Sequence, residues 1–438
     1  MDKKTAEPRQ GQLTAIVGIN WGDEGKGRMV DLLSQEYDIV VRYQGGNNAG
    51  HTVVNEKGKF ILNLLPSGIL RQEVVNVMGG GMVIDLEHLC HELASLKEKG
   101  VEISPDNLKI SHQATICLPY HKLQDIYEED RLGGKYGSTR RGIGPVYSDK
   151  YLRKGIRMGE LLYPEALEKT VKEFLEWKNL MITGVYQKPA MTVEELMGWL
   201  NRFGEELKPF ICDTGAFLDK AAAEGKKIMF EAQLGALRDI DFGIYPYTSS
   251  SSTIAAYAPI GAGIPGRRLD QVVGIMKAYS SAVGGGPFTC ELFGPEGEAL
   301  REAGGEYGAA TGRPRRVGPF DCVASRYGVR FQGADQLALT KLDVLSYMEK
   351  IPVCVAYSTK AGKTEEFPWG PALEEAEPVL VYLPGWQKDI GACRNFADLP
   401  AEARDYVEYL EKAVGCPITY ISVGPSREQY LLKEQVRE

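Results

Sequence analysis

A glycine-rich loop between an apolar run and a helical pattern is the feature that most constrains this chain. The apolar run covers residues 13–19 (LTAIVGI), the loop covers residues 21–28 (WGDEGKGR), and the MVDLL that comes next is typical of the opening of a helix. A glycine loop between a strand and a helix exposes backbone N–H groups that bind phosphate oxygens, and the helix dipole favours the same negative charge. The segment therefore predicts a strand, a phosphate-binding loop and a helix in succession.

This loop differs from the ordinary GxxxxGK[ST] phosphate loop at two positions. The first glycine of that pattern would fall on Asn20, and the residue after Lys26 is Gly27, which has no hydroxyl to bind Mg²⁺. Two carboxylates, Asp23 and Glu24, stand beside the predicted phosphate site, where a carboxylate can bind Mg²⁺ or move a proton. Taken alone, the segment is also compatible with a structural turn that carries solvated charges.

Short apolar runs alternate with helical patterns along the rest of the chain. Predicted strands occupy residues 38–43, 59–65, 74–79, 226–232, 270–279, 335–345, 352–358 and 417–424. Predicted helices occupy residues 85–100, 164–179 and 400–415. The alternation predicts an α/β fold with a large, mainly parallel central sheet flanked by helices, because consecutive apolar positions suit strands covered on both faces. Residues 1–11 are expected to form a polar tail, and residues 12–438 a single domain with helical insertions.

Composition argues against several classes of function. The net charge is -8, so the chain has no general electrostatic attraction to nucleic acid or membrane surfaces. It contains no run of eighteen apolar residues, the length that would suggest a membrane-spanning helix. The eight cysteines form no CxxC pair and residues 1–10 are polar, which together predict reduced thiols in a cytoplasmic protein. His88 and His91 flank Cys90 on a predicted helix, but no further ligand is evident nearby, so we predict a helix surface there rather than a metal site.

Four further segments have the composition of binding loops. Residues 44–52 (QGGNNAGHT) combine small residues with amides and His51, which can donate a proton or stabilise a phosphoryl group. Residues 138–150 and 311–316 place arginines in loops that contain glycine and proline, where a guanidinium suits carboxylates and phosphates. Residues 340–343 (TKLD) are similar to the guanine-reading element of GTP-binding proteins. Taken singly, residues 44–52 also fit a turn whose histidine bonds to the backbone, and the two arginine segments also fit solvated charge runs. Residues 340–343 also fit the end of a buried strand that matches the guanine-reading element by chance.

Together these motifs closely resemble the adenylosuccinate synthetase family. The matching segments are, in order, WGDEGKGR, QGGNNAGHT, GIGPVYSDK, DIDFGIYPYTSSSST, VGGGPFTCEL, TGRPRRVGPFD, TKLDVL and SVGPSREQ, which span roughly residues 12 to 430. The resemblance implies a fold that is similar to P-loop NTPases in its phosphate and guanine loops. It also implies a cytoplasmic homodimer that uses GTP and Mg²⁺ to join L-aspartate to IMP through a 6-phosphoryl intermediate, releasing GDP and phosphate.

The resemblance also implies residue roles. Asp23 matches the base that removes the proton from ring nitrogen 1 of IMP, His51 the group that stabilises the transferring phosphoryl group, and Lys26 the lysine that neutralises phosphate charge. For GTP, the matching residues are Gly22, Glu24, Gly25, Lys26, Gly27, Gly50, His51, Thr52, Arg315, Lys341, Leu342, Asp343, Ser422 and Gly424. For IMP, they are Asp23, Asn48, Ala49, Thr139, Arg153, Gln233, Leu234, Ser249, Val283 and Arg313, with Arg153 acting across the dimer interface. For aspartate, they are Ala310, Thr311, Gly312, Arg313 and Arg315, and for Mg²⁺ they are Asp23 and the backbone of Gly50.

Several positions depart from the family pattern, mainly in the segments assigned to the acceptor. The pattern FEGAQG is FEAQLG here, so Leu234 occupies the place of a glutamine and Gln233 lies one position early. The other departures are Asn47, Arg140, Arg238, Ser249, Ala282, Ala310 and Pro319. Losing one polar contact to a substrate shifts specificity without removing the chemistry. Two alternatives therefore remain open: a paralogue acting on another 6-oxopurine nucleotide or another amine, and a GTP-binding regulatory protein.

Overall fold

The computed structural model of the protein describes residues 12–55, 58–134, 137–308 and 312–433, with the backbone alone at residues 51, 52, 54, 55 and 59. The polar tail expected at residues 1–11 lies outside this part of the chain, as do Ala310 and Thr311. Within the described residues, no helix has both the length and the apolar character needed to cross a membrane.

A ten-stranded sheet forms the centre of the molecule. Its strands are β1 (Leu13–Gly18), β2 (Ile39–Arg42), β3 (Val75–Met78), β4 (Leu108–Ser111), β5 (Ile211–Cys212), β6 (Ile228–Gly235), β7 (Gln271–Lys277), β8 (Gln336–Thr340), β9 (Ile418–Ser422) and β10 (Tyr430–Leu432). They lie side by side in the order β10-β9-β8-β7-β1-β6-β2-β3-β4-β5. Every neighbouring pair is parallel except β9 and β10. The mainly parallel sheet expected from the alternation is confirmed.

Helices cover both faces of this sheet. The α-helices of the described residues are α1 (Lys26–Leu33), α2 (Leu86–Glu98), α3 (Pro119–Arg131), α4 (Ile143–Tyr151), α5 (Pro164–Gly184), α6 (Val193–Leu207), α7 (Thr214–Ala223), α8 (Ala258–Ala262), α9 (Gly294–Gly304), α10 (Cys322–Gln332), α11 (Pro371–Glu374) and α12 (Ala401–Val414). All six residues of β1 are buried. Ala15 and Val17 belong to a core shared with α7 and α8, whereas Ile16 packs with Met29 and Val30 of α1. Coverage on both faces explains why the strands are apolar at consecutive positions.

The segment between β4 and β5 carries the helical insertions. Helices α5 and α6 bury Leu167, Val171 and Leu196 in one core with Leu89 and Leu93 of α2. The α5 helix extends to Gly184, five residues beyond the predicted end at residue 179, because Ile182 continues its buried stripe.

Three predicted strands differ from the structure in extent or in partner. The run at residues 59–65 forms Gly58–Leu62, which pairs with His51–Asn55 in a separate antiparallel hairpin. The run at residues 352–358 lies in Lys350–Thr359, which belongs to a second sheet with Phe320–Asp321, Gly362–Thr364 and Glu377–Pro384. The run at residues 335–345 ends as a strand at Thr340, because Lys341 adopts a left-handed conformation (φ 60°) and Leu342–Tyr347 forms a 3-10 helix. Two short pairs complete the strands, Ser280–Ala282 with Arg316–Gly318 and Val83–Ile84 with Thr115–Ile116.

Candidate nucleotide site at the carboxyl edge of the sheet

The parallel sheet brings the carboxyl ends of β1, β2, β6, β7, β8 and β9 to one edge, where ligands bind in open α/β sheets. Two contacts show how closely the loops there meet. The hydroxyl of Thr340, at the end of β8, donates to the backbone carbonyl of Glu24 at 2.7 Å. The amide of Gln44, after β2, donates to the carbonyl of Gln233 in β6, also at 2.7 Å. The predicted phosphate loop, guanine element and acceptor segments therefore share one edge.

The Glu24 side chain organises the phosphate loop from inside. It is buried, and its Oε1 accepts the backbone N–H groups of Asn20 (3.1 Å) and Gly22 (2.8 Å). Its Oε2 lies 2.6 Å from Nζ of Lys26. A Cβ at Gly18 or at Gly235 would lie 2.5–2.6 Å from this carboxylate, so both positions need glycine. Glu24 thus fixes the loop backbone and places the ammonium group of Lys26.

Asp23 projects from the loop at a left-handed backbone position with φ 65°. Its side chain is about one-third exposed, and Oδ2 lies 2.7 Å from Nε of Arg315. The two atoms form an ion pair without the alignment of a hydrogen bond, since neither atom has a hydrogen-bond partner. The guanidinium of Arg315 also reaches Oε2 of Glu306 at 3.0 Å. The proposed base and the proposed aspartate-binding arginine are therefore in direct contact.

Glu306 is a buried anion that joins several cations of the site, and sequence reasoning did not single it out. Besides Arg315, its carboxylate contacts Nζ of Lys277 at 2.8 Å, Nζ of Lys341 at 3.4 Å and the hydroxyl of Tyr279 at 2.5 Å. Burial disfavours its charged form, but Lys277 and Lys341 outweigh that effect and lower the pKa of Glu306 to about 2. The only available signal was its place in GEYG, just before the 311–316 loop.

The phosphate-loop helix α1 meets both the guanine-type element and the end of β9, and the charge of Arg28 in this helix acts on Asp343. Burial lowers the pKa of Lys341 and raises the pKa of Asp343. Arg28 of α1 donates to the Ser422 hydroxyl at 2.6 Å, and that hydroxyl donates to the carbonyl of Gly424 at 3.2 Å. The ends of β1, β8 and β9 thus form one connected wall of the site, and Leu342 lies buried beneath it.

Gln233 closes the loop that follows β2. Its Nε2 donates to the carbonyls of Gly46 (2.9 Å) and Ala49 (3.3 Å), and its Oε1 accepts the N–H of Gly46 at 3.1 Å. A Cβ on Gly45 would lie 1.7 Å from Oε1, so the amide packs directly on that glycine. Leu234 follows with a left-handed backbone (φ 64°) against Gly22. The Gln233 amide is therefore used by the loop backbone, and Leu234 faces the phosphate loop.

The remaining predicted residues lie in loops around this edge. Asn48 accepts from the N–H of Gly46 at 3.4 Å, and Ser249 lies 3.2 Å from the hydroxyl of Ser251. Exposed positions on the described backbone are Gly25, Gly50, Thr139, Arg153, Val283, Gly312 and Arg313. The side chains of His51 and Thr52 lie outside the described residues, as do Ala310 and Thr311 as a whole.

The departures at Asn47, Arg140, Pro319 and Ala282 are accommodated locally. Asn47 donates to the buried Asp85 carboxylate at 3.1 Å, and Arg140 pairs with Asp130 at 2.9 Å on the surface. Pro319 and Ala282 are buried.

Asp23 supplies the type of donor that Mg²⁺ prefers, a carboxylate oxygen beside a phosphate loop. Its Oδ2 has no hydrogen-bond partner and carries the 2.7 Å ion pair with Nε of Arg315, so a metal ion bound there would take the place of that contact. Elsewhere in the described chain, three side chains that could bind a metal ion lie close together: Cys290, Asp321 and Cys354, all buried. There Asp321 already accepts hydrogen bonds from Cys290 and from the hydroxyl of Tyr357. His88 instead contacts the Asn63 amide oxygen at 3.2 Å.

Comparison with known proteins gives the family. The family model described as adenylosuccinate synthetase matches residues 15–431. The chain belongs to this family. The adenylosuccinate synthetase of Caldanaerobacter subterraneus subsp. tengcongensis is 46% identical over 424 residues, covering 96% of this chain and 99% of that protein. The adenylosuccinate synthetase of Frankia alni is 46% identical over 419 residues, covering 95% and 98%.

Solved structures agree with the adenylosuccinate synthetase fold. The fully ligated adenylosuccinate synthetase of Plasmodium falciparum is 37% identical with a TM-score of 0.90, and the alignment covers 97% of this chain and 100% of that one. The succinoaminodeoxyadenylate synthetase of cyanophage S-2L is 19% identical with a TM-score of 0.61, covering 97% and 96%, and shows a similar fold alone. The α/β architecture and the family expected from the sequence are both confirmed.

Proposed function

We propose that this chain is a GTP-dependent ligase that joins L-aspartate to IMP, forming adenylosuccinate, GDP and phosphate through a 6-phosphoryl-IMP intermediate. The observation that carries this proposal is the contact between the phosphate loop and the guanine-type strand, from Thr340 to Glu24. That contact unites the two GTP-specific elements at one edge of the sheet in a chain of the adenylosuccinate synthetase family. Asp23 lies in the same loop, where a base for the acceptor is needed.

In this proposal Asp23 removes the proton from ring nitrogen 1 of IMP, so that negative charge reaches the 6-oxygen and that oxygen attacks the γ-phosphate of GTP. The ion pair with Arg315 supports this role, since it holds the Asp23 carboxylate in place beside the phosphate loop. Lys26 neutralises phosphate charge, and its pairing with Glu24 keeps its ammonium group at the loop. Aspartate then displaces the phosphoryl group while Arg313 and Arg315 bind its carboxylates.

Asp23 and the backbone carbonyl of Gly50 are the residues that would hold Mg²⁺. When bound, the ion would neutralise charge on the phosphates of GTP. His51 is proposed to stabilise the transferring phosphoryl group, and its strand begins directly after Gly50. For guanine, we propose that Asp343 accepts from the base and Lys341 packs on its face, with Ser422 and Gly424 closing over it.

The assembly and location of the protein are proposed as well. We infer a cytoplasmic homodimer in which Arg153 reaches the IMP of a partner subunit, with residues 12–438 as one domain. Arg153 is exposed at the end of α4, beside Tyr151 (74% exposed) and Leu152 (48% exposed), and apolar exposure of this kind favours a protein interface. All eight cysteines are free thiols, six of them buried, which agrees with a reducing compartment.

The experiment is a turnover assay with GTP, Mg²⁺, L-aspartate and IMP, in which we expect adenylosuccinate. Parallel reactions with guanosine monophosphate, or with other amino acids, test the paralogue hypothesis, and preference for one of these pairs would overturn the IMP assignment.

In the same assay Asp23→Asn is expected to lower kcat by about a hundredfold or more, because removing a general base typically costs that much. Asp405→Asn, an exposed carboxylate on α12, is the matched control and should keep full activity. Near-normal turnover by Asp23→Asn would contradict the assignment of the base.

A further inference from the structure

Arg238 connects two loops that surround the acceptor segments. Its side chain is buried, with the residue 7% exposed. Nη1 donates to the carbonyls of Tyr247 (2.5 Å) and Gly285 (3.2 Å), and Nη2 donates to the carbonyl of Val283 (2.5 Å). The carbonyl of Arg238 also accepts the backbone N–H of Ser249 at 2.8 Å. One residue therefore joins the segment at 247–249 to the segment at 283–285.

A purely structural role explains the position of this charge poorly. Burial, together with the nearby charge of Arg316, lowers the pKa of Arg238 to about 10, so the guanidinium is still protonated at neutral pH. The hydrogen bonds of Arg238 go to backbone carbonyls, and no carboxylate among the described residues forms an ion pair with it. A buried charge without a carboxylate partner carries a desolvation cost, which an apolar side chain at this position would avoid.

A second arginine holds the same glycine loop from its other side. Arg316 donates to the carbonyls of Gly286 at 2.8 Å and Gly284 at 3.5 Å, and it pairs with Glu291 at 2.5 Å. Gly284 and Gly286 have φ angles of 81° and 96°. These left-handed positions let successive carbonyls turn toward opposite sides, so the four carbonyls of residues 283–286 alternate between the two guanidinium groups.

The two loops also touch directly. A Cβ on Gly286 would lie 2.6 Å from the ring of Tyr247, so the ring rests against the glycine backbone. The Arg238 contacts therefore set the separation of two surfaces that are already packed together. Ser249 stands at the end of one segment and Val283 at the start of the other.

We propose that Arg238 is a positioning residue for the acceptor nucleotide, which holds the loop at residues 283–286 against the segment at residues 247–249 so that the acceptor pocket is formed before the nucleotide binds. The proposal rests on the proposed function, in which Ser249 and Val283 contact IMP. Arg238 acts through these loops and does not touch the reacting atoms. Its loss therefore weakens acceptor binding and leaves the GTP side, built on β1, β8 and β9, unchanged.

The test compares Arg238→Leu and Arg238→Lys with the native enzyme, measuring kcat and KM for IMP, GTP and aspartate, together with IMP binding by calorimetry. The matched control is Arg326→Leu, because Arg326 also donates to three backbone carbonyls, those of Ala413, Val355 and Glu365, away from the acceptor loops. Arg238→Leu is expected to raise KM and Kd for IMP about tenfold or more while KM for GTP changes less than about twofold, since two charge-assisted hydrogen bonds to the 283–285 segment are lost. Arg238→Lys keeps one donor group and should fall between the native enzyme and Arg238→Leu.

A KM for IMP within about twofold of the native value in Arg238→Leu, or an equal rise in the KM for IMP and for GTP, would overturn the positioning role. The same holds if Arg326→Leu raises the KM for IMP as much as Arg238→Leu does. If Arg238→Leu does not fold, Arg238→Lys with the calorimetric Kd for IMP decides, and an unchanged Kd counts against the proposal. A native enzyme that binds IMP but forms no adenylosuccinate would instead refute the proposed function, and the calorimetric comparison would still test Arg238.

Discussion

Glu24 and Glu306 determine, residue by residue, where the cations of the site lie. Glu24 holds Lys26 at 2.6 Å together with two backbone N–H groups of the phosphate loop. Glu306 holds Lys277, Lys341 and Arg315, which come from three different segments. Buried carboxylates at these points keep lysine and arginine side chains in place before an anionic substrate arrives, which reduces the ordering cost of binding.

Replacing Glu306 with glutamine should affect both nucleotide and aspartate binding. Lys277 and Lys341 would then lose their described anion while Arg315 kept only Asp23, and breaking a buried pair in this way typically costs about 3 kcal/mol or more of unfolding free energy. We expect KM for GTP and for aspartate to rise together, since Lys341 loses its anion and Arg315 loses one of its two. Chemical denaturation and steady-state kinetics measure the two effects. Glu298→Gln, exposed on α9, is the control, and a Glu306→Gln enzyme with native stability would contradict this role.

The pH dependence of this carboxylate follows from its lowered pKa. The pKa of Glu306 is about 2, against an ordinary value of 4.5, so its charged form stabilises the fold fully above about pH 4.5. That contribution decreases as the pH falls from 4.5 toward 2. The difference in unfolding free energy between the native protein and Glu306→Gln should therefore shrink over that window.

At the scale of secondary-structure elements, helices α3, α4 and α5 are joined by a buried cluster of three side chains, one from each helix: His121, Asp149 and Lys178. The His121 ring accepts the backbone N–H of Leu118 at Nδ1 (2.9 Å) and contacts Asp149 of α4 through Nε2 (2.9 Å). Lys178 of α5 reaches the same Asp149 oxygen at 2.7 Å. Burial, against the attraction of Asp149, lowers the pKa of His121 to about 4. Neutral His121 therefore donates to Asp149, while Lys178 supplies the positive charge.

This arrangement predicts a loss of stability on acidification. Between pH 6.5 and about 4 the unfolded chain binds a proton at His121 that the folded protein excludes, so the unfolding free energy falls as the pH falls. We expect the thermal midpoint to drop by several degrees over this window and the drop to be smaller in His121→Gln. His112→Gln serves as the control, because the His112 ring contacts the carbonyl of Cys212 and forms no ion pair with a carboxylate of the described residues. Equal slopes in all three proteins would refute the assignment.

For the whole molecule, the proposed dimer makes a prediction about shared sites. An Arg153→Leu subunit keeps its own Asp23, and an Asp23→Asn subunit keeps its own Arg153. If Arg153 serves the partner's site, mixing the two inactive variants restores activity, because mixed dimers contain one complete site. Turnover after mixing, with each variant alone as the control, measures this effect. Absence of recovery in mixed dimers verified by size and mass would place Arg153 outside the partner's site.

How far the sequence predicts this fold differs between its elements. Seven of the ten central strands, β1–β3 and β6–β9, were found from their apolar runs, since strands covered on both faces are apolar at consecutive positions. The short strands β4, β5 and β10 were not predicted. Lys350–Thr359 has a similar run yet pairs in the second sheet, because a hydrophobic run records burial and does not record which strand lies beside it. The end of β8 at Thr340 was missed for a related reason: the left-handed backbone of Lys341 occurs at a residue with no local turn signal.

Some features of the candidate site were likewise predicted from the sequence, and others were not. The sequence by itself determined the family, the α/β class, the phosphate loop and the guanine-type element, because glycine positions and adjacent charges act over a few residues and leave a local pattern. Only the tertiary structure decided that Glu24 binds its own loop, that the Gln233 amide serves the 45–49 backbone, and that Glu306 and Arg238 join separate segments. The Gln233 contact joins residues 187 positions apart, and the Arg238 contacts join residues up to 47 positions apart. Partners this far apart follow from the order of parallel strands, which no short segment encodes. The Glu24 contacts are local, but they depend on the exact turn of the loop backbone.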